Sequence, residues 1–422
     1  MTPATASVKP PEAAAAGFPE LRCQARACFR EQGLPSRRIE AYKYSDLTFL
    51  AREKWVGESP ASGLPPGLPE PWGRRLLWLN GRFLDPGENA GEIQEIGAIA
   101  THPPAGLKAL LGQLADPDDP LVNLNTMRFD HGGWIDLPAG ARPEQPLELF
   151  FTHVPGDHPT AAHTRLALHL GANSRLVLIE RHVGADQGPA CLASLVAEID
   201  LEPGAELVHL RLIQMGTQGR MLGRTEARVG AGACYRAFNY DAGTRLARHA
   251  LRVRLVAPGA VTDLAGVQVL QGREQADNDV TVIHDAISTR SRQYFRGVLA
   301  GHSRGIYSGR IKVEPKAQKT DASQESAGLL LSRQAEADTR PQLEIYADDV
   351  ICNHGASTGA IDPDSLFYLQ SRGIDAASAR RMIAYGFAAR VFATLEIPAL
   401  KSAVTHLIAG RLQAPEEIRE WL

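Results

Sequence analysis

The run Gly204-Ala205-Glu206-Leu207-Val208-His209-Leu210-Arg211-Leu212 carries the pattern from which the architecture is read. A glycine-centred turn leads into residues that alternate apolar and polar, the period-two signature of a β-strand. Leu166, Leu168 and Leu170 alternate with Arg165, Ala167 and His169 in the same way, and Leu251-Arg252-Val253-Arg254-Leu255 and Ile311-Lys312-Val313 repeat the pattern. Small-residue turns recur at Gly171-Ala172, Gly204-Ala205, Gly232-Ala233 and Gly259-Ala260, spaced by 33, 28 and 27 residues. Short strands at a quasi-regular period, with no helical pattern between them, fit the stacked turns of a β-solenoid. An antiparallel sandwich would produce a similar pattern, so periodicity leaves both open.

A chain of 422 residues is long for one ordinary domain, and the pattern divides it into three regions. Residues 1–115 read as an N-terminal helical region with a proline-rich connection at Gly57–Gly73, 116–359 as the β core, and 360–422 as a C-terminal helical region. Leu21–Gln32 is helical and stopped by Gly33 and Pro35, while Leu76–Leu79 followed by Asn80-Gly81 predicts a short hairpin. Asp375 is an N-cap for a helix whose apolar stripe is Ile383, Phe387, Phe392 and Leu395, which Pro398 breaks before a last helix over Ser402–Arg411. A net charge of −3 gives no reason to expect nucleic acid or an anionic membrane as partner. Five scattered cysteines argue for free thiols in a reducing compartment. Ala13–Ala16 is too short for a signal-peptide core, and no apolar run reaches bilayer length, so a cytoplasmic location is expected.

The chemistry-bearing stretch is Tyr346-Ala347-Asp348-Asp349-Val350-Ile351-Cys352-Asn353-His354-Gly355. It reads as a strand, and strand alternation projects Cys352 and His354 from the same side, within reach of one metal ion or sulfur species. An isolated pair of this kind is ordinarily a packed thiol and a hydrogen-bonded imidazole, and no second close pair exists to complete a four-ligand site. The sequence contains no G-x-x-x-x-G-K-[ST] phosphate loop, no G-x-S-x-G and no H-E-x-x-H. Asp277-Asn278-Asp279 with His284-Asp285 is the most enzyme-like constellation, and it reads as a solvent-facing polar turn and strand. A β-helix hydrolase or lyase acting on carbohydrate is the alternative that this constellation keeps open.

The segments K-T-D-A-S-Q from Lys319, L-L-L-S at Leu329–Ser332, P-Q-L-E-I-Y-A-D-D-V-I-C-N-H-G-A-S-T-G, and L-F-Y-L-Q-S-R-G-I ending at Ile374 resemble the SufB/SufD family of iron–sulfur cluster assembly scaffolds, most closely its SufD branch. R-R-I-E-A-Y-K-Y-S-D-L at Arg37–Leu47 resembles a second signature near the start of these proteins. The resemblance implies a mainly β fold: a right-handed parallel β-helix flanked by N-terminal and C-terminal helical regions. It implies a non-enzymatic scaffold subunit that pairs with a SufB-like paralogue and docks a SufC-like ABC ATPase through its C-terminal helices. SufB members carry a functional cysteine shortly before the segment matching Leu329–Ser332, whereas Asp321–Ser332 here has none and Ser326 stands in the approximate place. The resemblance implies that His354 is the more firmly placed functional residue, as a transient iron or cluster ligand, with Cys352 beside it. No cofactor is expected to stay bound in isolation. The isolated chain is expected to form a homodimer through Asp348–His354, and removal of everything after Gly359 to leave the β region folded.

Overall fold

The structure is a computed structural model that describes residues 18–57, 68–84 and 93–415. The N-terminal Ala-rich stretch and most of the proline-rich connection lie outside those residues. Each coil of the β region contributes one strand to each of two sheets, giving a parallel solenoid of about eight turns. One sheet runs from Arg82–Leu84 through Arg74–Leu79 and Leu147–His153 to Val350–Gly359; the other runs from Ile93–Glu95 through His131–Leu137 to Glu336–Ile345. The sandwich alternative is excluded, because every pairing from Leu147 to Gly359 is parallel.

Repeated corner turns set the coil length. Gly204, Gly232 and Gly259 each adopt positive φ (72°, 62° and 74°), a conformation nearly free for glycine and costly for most other residues. Each turn also bonds to the next: the N–H of Gly204 donates to Ala231 O and that of Gly232 to Pro258 O. In the coil before them the left-handed residue is Asn173 (φ 58°) rather than Gly171, and its N–H donates to Pro203 O. Asparagine is the non-glycine residue that best tolerates this region.

The opening stretch is a strand, Glu206–Gln214, yet its polar side chains point inward. Leu207 packs in the solenoid interior, while Val208, Leu210 and Leu212 lie on the outer face under the C-terminal helices. His209 and Arg211 therefore face the interior, both almost fully buried. Alternation fixed the period here but not the side, because this sheet is covered on both faces.

The C-terminal cover consists of helices Pro363–Ser371, Ala376–Ala389 and Pro398–Leu412. Asp375 caps the second, accepting from the N–H groups of Ala377 and Ser378. Its buried stripe is Ala384, Tyr385 and Ala388, continued by Phe392, whereas Ile383 and Phe387 are only half-buried. Pro398 opens the last helix rather than merely ending the previous one, as suits a residue whose missing N–H would be unpaired in a first turn anyway. These helices seal Val208, Leu210, Leu212, Phe238 and Tyr240 of the sheet. Cutting after Gly359 would bare that apolar face.

The N-terminal segments cover the other sheet. The helix Pro19–Gln32 ends at Gly33 (φ 70°) and packs on the helix Pro120–Arg128. Within Arg37–Leu47, buried Tyr42 donates to Asp119 Oδ1 (2.5 Å) and lies under the Arg248 guanidinium, 4.7 Å from its ring centre. Arg165 and Glu198, both fully buried, form an ion pair at 3.0 Å, and Glu198 also accepts from the N–H groups of Gly112, Leu114 and Ala115. That saturates the carboxylate, the condition under which a buried pair is tolerated.

The two ends of the solenoid differ. The first is closed by the three-residue strands Arg82–Leu84 and Ile93–Glu95, both antiparallel to their neighbours. The last presents two ten-residue edge strands, Glu336–Ile345 and Val350–Gly359, with no described strand beyond them.

Candidate functional site

Cys352 and His354 sit on the last strand at that open end. Register carries Cys352 over Ala322 and His354 over Gln324 of the preceding coil. Ala322 and Gln324 are buried interior residues, so both upper residues continue the interior face of the solenoid, as alternation requires. They differ in cover. Cys352 is half-buried against the cluster containing Ile311, Val313 and Ala347, whereas His354 is exposed. Beneath His354, the Gln324 amide donates to Tyr307 Oη (3.1 Å) and Gln293 Oε1 (3.4 Å), and its own Oε1, though buried, has no hydrogen-bond partner. Burial, reinforced by Asp321, pushes the Cys352 thiol above its usual range, with the Ala322 N–H pulling weakly the other way. The group therefore stays a thiol near neutrality and would have to lose its proton to ligate metal. Among the described residues no three His, Cys, Asp or Glu side chains converge on a common metal position.

The strand is also an unguarded edge. From Val350 to Gly359 it has no Asp, Glu, Lys or Arg and no proline, while the neighbouring edge Glu336–Ile345 carries Pro341 and four charged side chains. Lysine-type charge and proline are what normally keep exposed edges from pairing with another chain. Beside the edge stand Ile351 (69% exposed), Tyr346 and Ile345. On the C-terminal helices, Phe367 (71% exposed) and Tyr368 are exposed as well.

Other sequence expectations fall differently. Asp277 and Asn278 are buried, not solvent-facing: the Arg37–Leu47 segment lies over Asp277, while Asn278 points into the solenoid interior. Asp277 accepts from Ser45 Oγ and pairs with Arg248, which also reaches Asp279 Oδ2 (3.2 Å) and Ala41 O (2.7 Å). The two aspartates do share a face, but their charge is consumed in anchoring the N-terminal segment. His284 is interior, bonded to Thr289 Oγ1 (2.8 Å) and Ser291 Oγ (2.9 Å), and Asp285 pairs with Arg254 on the outside. Cys23, Cys28, Cys191 and Cys234 are all unpaired thiols.

A polar network inside the solenoid was not anticipated. Glu180 is flanked by His182 Nε2 (3.0 Å), Arg211 Nε (3.3 Å) and His209 Nε2 (3.4 Å), and Arg211 continues to Asp241 Oδ1 (3.5 Å), which Asn278 contacts in turn. Burial opposes ionisation of Glu180, but hydrogen bonds from both histidines and the charge of Arg211 outweigh it and hold the carboxyl well below its usual range. The available signal was His209 and Arg211 themselves, two polar residues in a strand whose remaining positions are apolar.

The class of structure is thus a parallel β-solenoid with helical covers on both faces, one closed end and one open end bearing a histidine and a thiol. The chain belongs to the SufB/SufD family: residues 151–387 match the model described as SUF system FeS cluster assembly, SufBD core domain. It is 28% identical over 391 residues to the iron–sulfur cluster assembly protein SufD of Escherichia coli, covering 90% of each chain. An iron–sulfur cluster assembly SufBD family protein of Synechocystis is 26% identical over 397 residues, covering 90% of this chain and 87% of the relative. SufD of Bacillus subtilis is 27% identical over 297 residues, covering 69% and 67%. The chain is thus a SufD-like member of an iron–sulfur assembly family, and the carbohydrate hydrolase or lyase reading has no support. No described helix is long and apolar enough to cross a membrane.

Proposed function

We propose that this chain is a non-enzymatic, cytoplasmic scaffold subunit whose open last coil pairs edge to edge with a SufB-like paralogue, while its C-terminal helices dock a SufC-like ABC ATPase. The observation that carries the reading is the unguarded edge strand Val350–Gly359, with His354 and Cys352 on the same coil. Edge addition supplies backbone hydrogen bonds for affinity, and exposed side chains such as Ile351 supply specificity. The nascent cluster is cargo. Imidazole and thiolate are acceptable iron ligands, and a half-set completed by the partner suits a site that must release what it holds. Nothing need remain bound to the isolated chain, which would use the same edge to form a homodimer. Phe367 and Tyr368 are the aromatic anchors proposed for the ATPase contact.

The test is His354→Ala, co-expressed with both partners and purified anaerobically. Complex formation should persist, since the side chain is exposed, while iron and sulfide content falls sharply; Cys352→Ala should lose less. Normal cluster yield with His354→Ala would make the residue structural and refute the ligand role.

A further inference from the structure

A cavity of about 520 Å³ lies between the N-terminal segment and the turns that lead into the sheet ending at Glu336–Ile345, and its lining extends to Glu336 on the last coil. That volume falls within the range of small-molecule sites. Its floor is a ladder of cations. Arg220 is in register with Leu246, Leu246 with Gln275, and Gln275 with Arg304, so Arg220, Arg245, Arg273 and His302 occupy four successive coils. Adjacent coils stand about 4.8 Å apart, so the ladder spans roughly 14 Å.

Four carboxylates also line the cavity, and of these Glu53 attracts Arg220 while the others have partners outside the ladder. Glu274 is engaged by Arg411 and by the N–H groups of Gly243 and Gln271, and Glu336 by Arg304. Asp46 accepts from the Thr48 N–H. Arg273 and His302 make no side-chain hydrogen bond or ion pair with any described residue, and Arg245 donates only to Arg273 O (2.5 Å). Arg220 is the most telling member. Its guanidinium lies over Phe49, 4.8 Å from the ring centre, and its Nη1 is shut off from water with no hydrogen-bond partner. Burial makes its charge harder to hold, and the Arg245 charge adds to that against the attraction of Glu53. A donor left unpaired in this way is destabilising, so Arg220 carries unmet hydrogen-bonding capacity beside the cavity.

We propose that this cavity binds a small multivalent oxyanion, a compound with two or more phosphate or carboxylate groups, across Arg220, Arg245 and Arg273. Among the described residues lining it, Phe49 is the one Phe, Tyr or Trp, and Arg220 already lies over its ring, so the ligand is held by charge and guanidinium hydrogen bonds rather than by base stacking. Flexible phosphate and polycarboxylate compounds both satisfy that chemistry.

The full-length protein would be titrated calorimetrically with pyrophosphate and, separately, with citrate, at fixed ionic strength. Saturable one-to-one binding of either supports the site, and the one that binds tighter identifies the ligand class. Arg245→Gln with Arg273→Gln should weaken binding at least tenfold, whereas Arg142→Gln, on an exposed turn elsewhere, should leave it unchanged. Arg273→Gln alone provides the check that does not depend on folding, since its side chain has no described partner to lose, and it should still weaken binding several-fold. No binding of either compound at millimolar concentration, or equal binding by wild type and the double variant, overturns the proposal.

Discussion

His284 should impose a measurable acid sensitivity on this fold. Its ring is sealed inside the solenoid, where burial lowers its pKa from 6.5 to about 4. Above pH 6.5 the histidine is neutral in both folded and unfolded chains and contributes nothing to the slope. As pH falls below 6.5 the unfolded chain takes a proton that the folded chain refuses, so stability is lost until about pH 4 and no further below it. One pKa unit corresponds to about 1.36 kcal/mol, so at pH 5 this residue alone costs about 2 kcal/mol relative to pH 7.5. His153, buried and lowered to about 3, adds a parallel loss. Glu180 acts only below the ordinary carboxylate range, outside this window. His169 slopes the other way: burial works against its charge, but Asp136 and Glu202 prevail and raise its pKa. All three residues are common to wild type and variant and cancel in the comparison. The variant is His284→Gln, which keeps a polar side chain facing Thr289 and Ser291. Urea unfolding of both proteins from pH 7.5 to 5 should show their stability gap narrowing by about 2 kcal/mol. A gap constant to within about 0.5 kcal/mol would refute the reasoning, because His284 would then titrate alike in both states.

Ile351→Lys should leave monomer stability within about 0.5 kcal/mol of wild type, since the side chain is exposed, while self-association seen by light scattering and capture of a SufB-like partner both weaken at least tenfold. Phe392→Ala, which removes a fully buried ring stacked on Phe238 at 6.1 Å, should cost about 3–5 kcal/mol in urea unfolding; a loss below about 1 kcal/mol would mean that the C-terminal cover is not anchored there.

Local chemistry was legible wherever it is decided within a few residues. Gly204, Gly232 and Gly259 announce left-handed corners, Asn80-Gly81 its hairpin (φ 49° and 91°), and Asp375 its cap, because each rule concerns one backbone conformation or one hydrogen bond. What was not legible is which face of an element meets which cover. His209 and Arg211 turn inward, Asp277 is hidden beneath Tyr42 and Ser45, and the stripe on Ala376–Ala389 is centred on Ala384 and Ala388 rather than Ile383 and Phe387. Each depends on a segment more than 100 residues away or on the opposite sheet, and periodicity carries no information about that. The Cys352–His354 pair was readable because alternation is local, but their unequal exposure follows only from the solenoid ending there.

The contrast between the two ends gives that exposure its meaning. A solenoid can protect an edge with very short strands, and this one does so at Arg82–Leu84 and Ile93–Glu95. At the other end it leaves ten residues without Asp, Glu, Lys, Arg or proline, directly above an interior still lined by Gln293, Tyr307 and Gln324. An interior column that stops at an exposed imidazole, over a buried amide oxygen with no partner, is a core cut open rather than a finished surface. An added strand from a second protein would pair the free backbone groups and cover Ile351 in one step, and would bring its own ligands to His354. In the proposed pairing the edge and the half-site would be met by the same partner, so an assay on the complex, rather than on the isolated chain, is the one that tests the role proposed for His354.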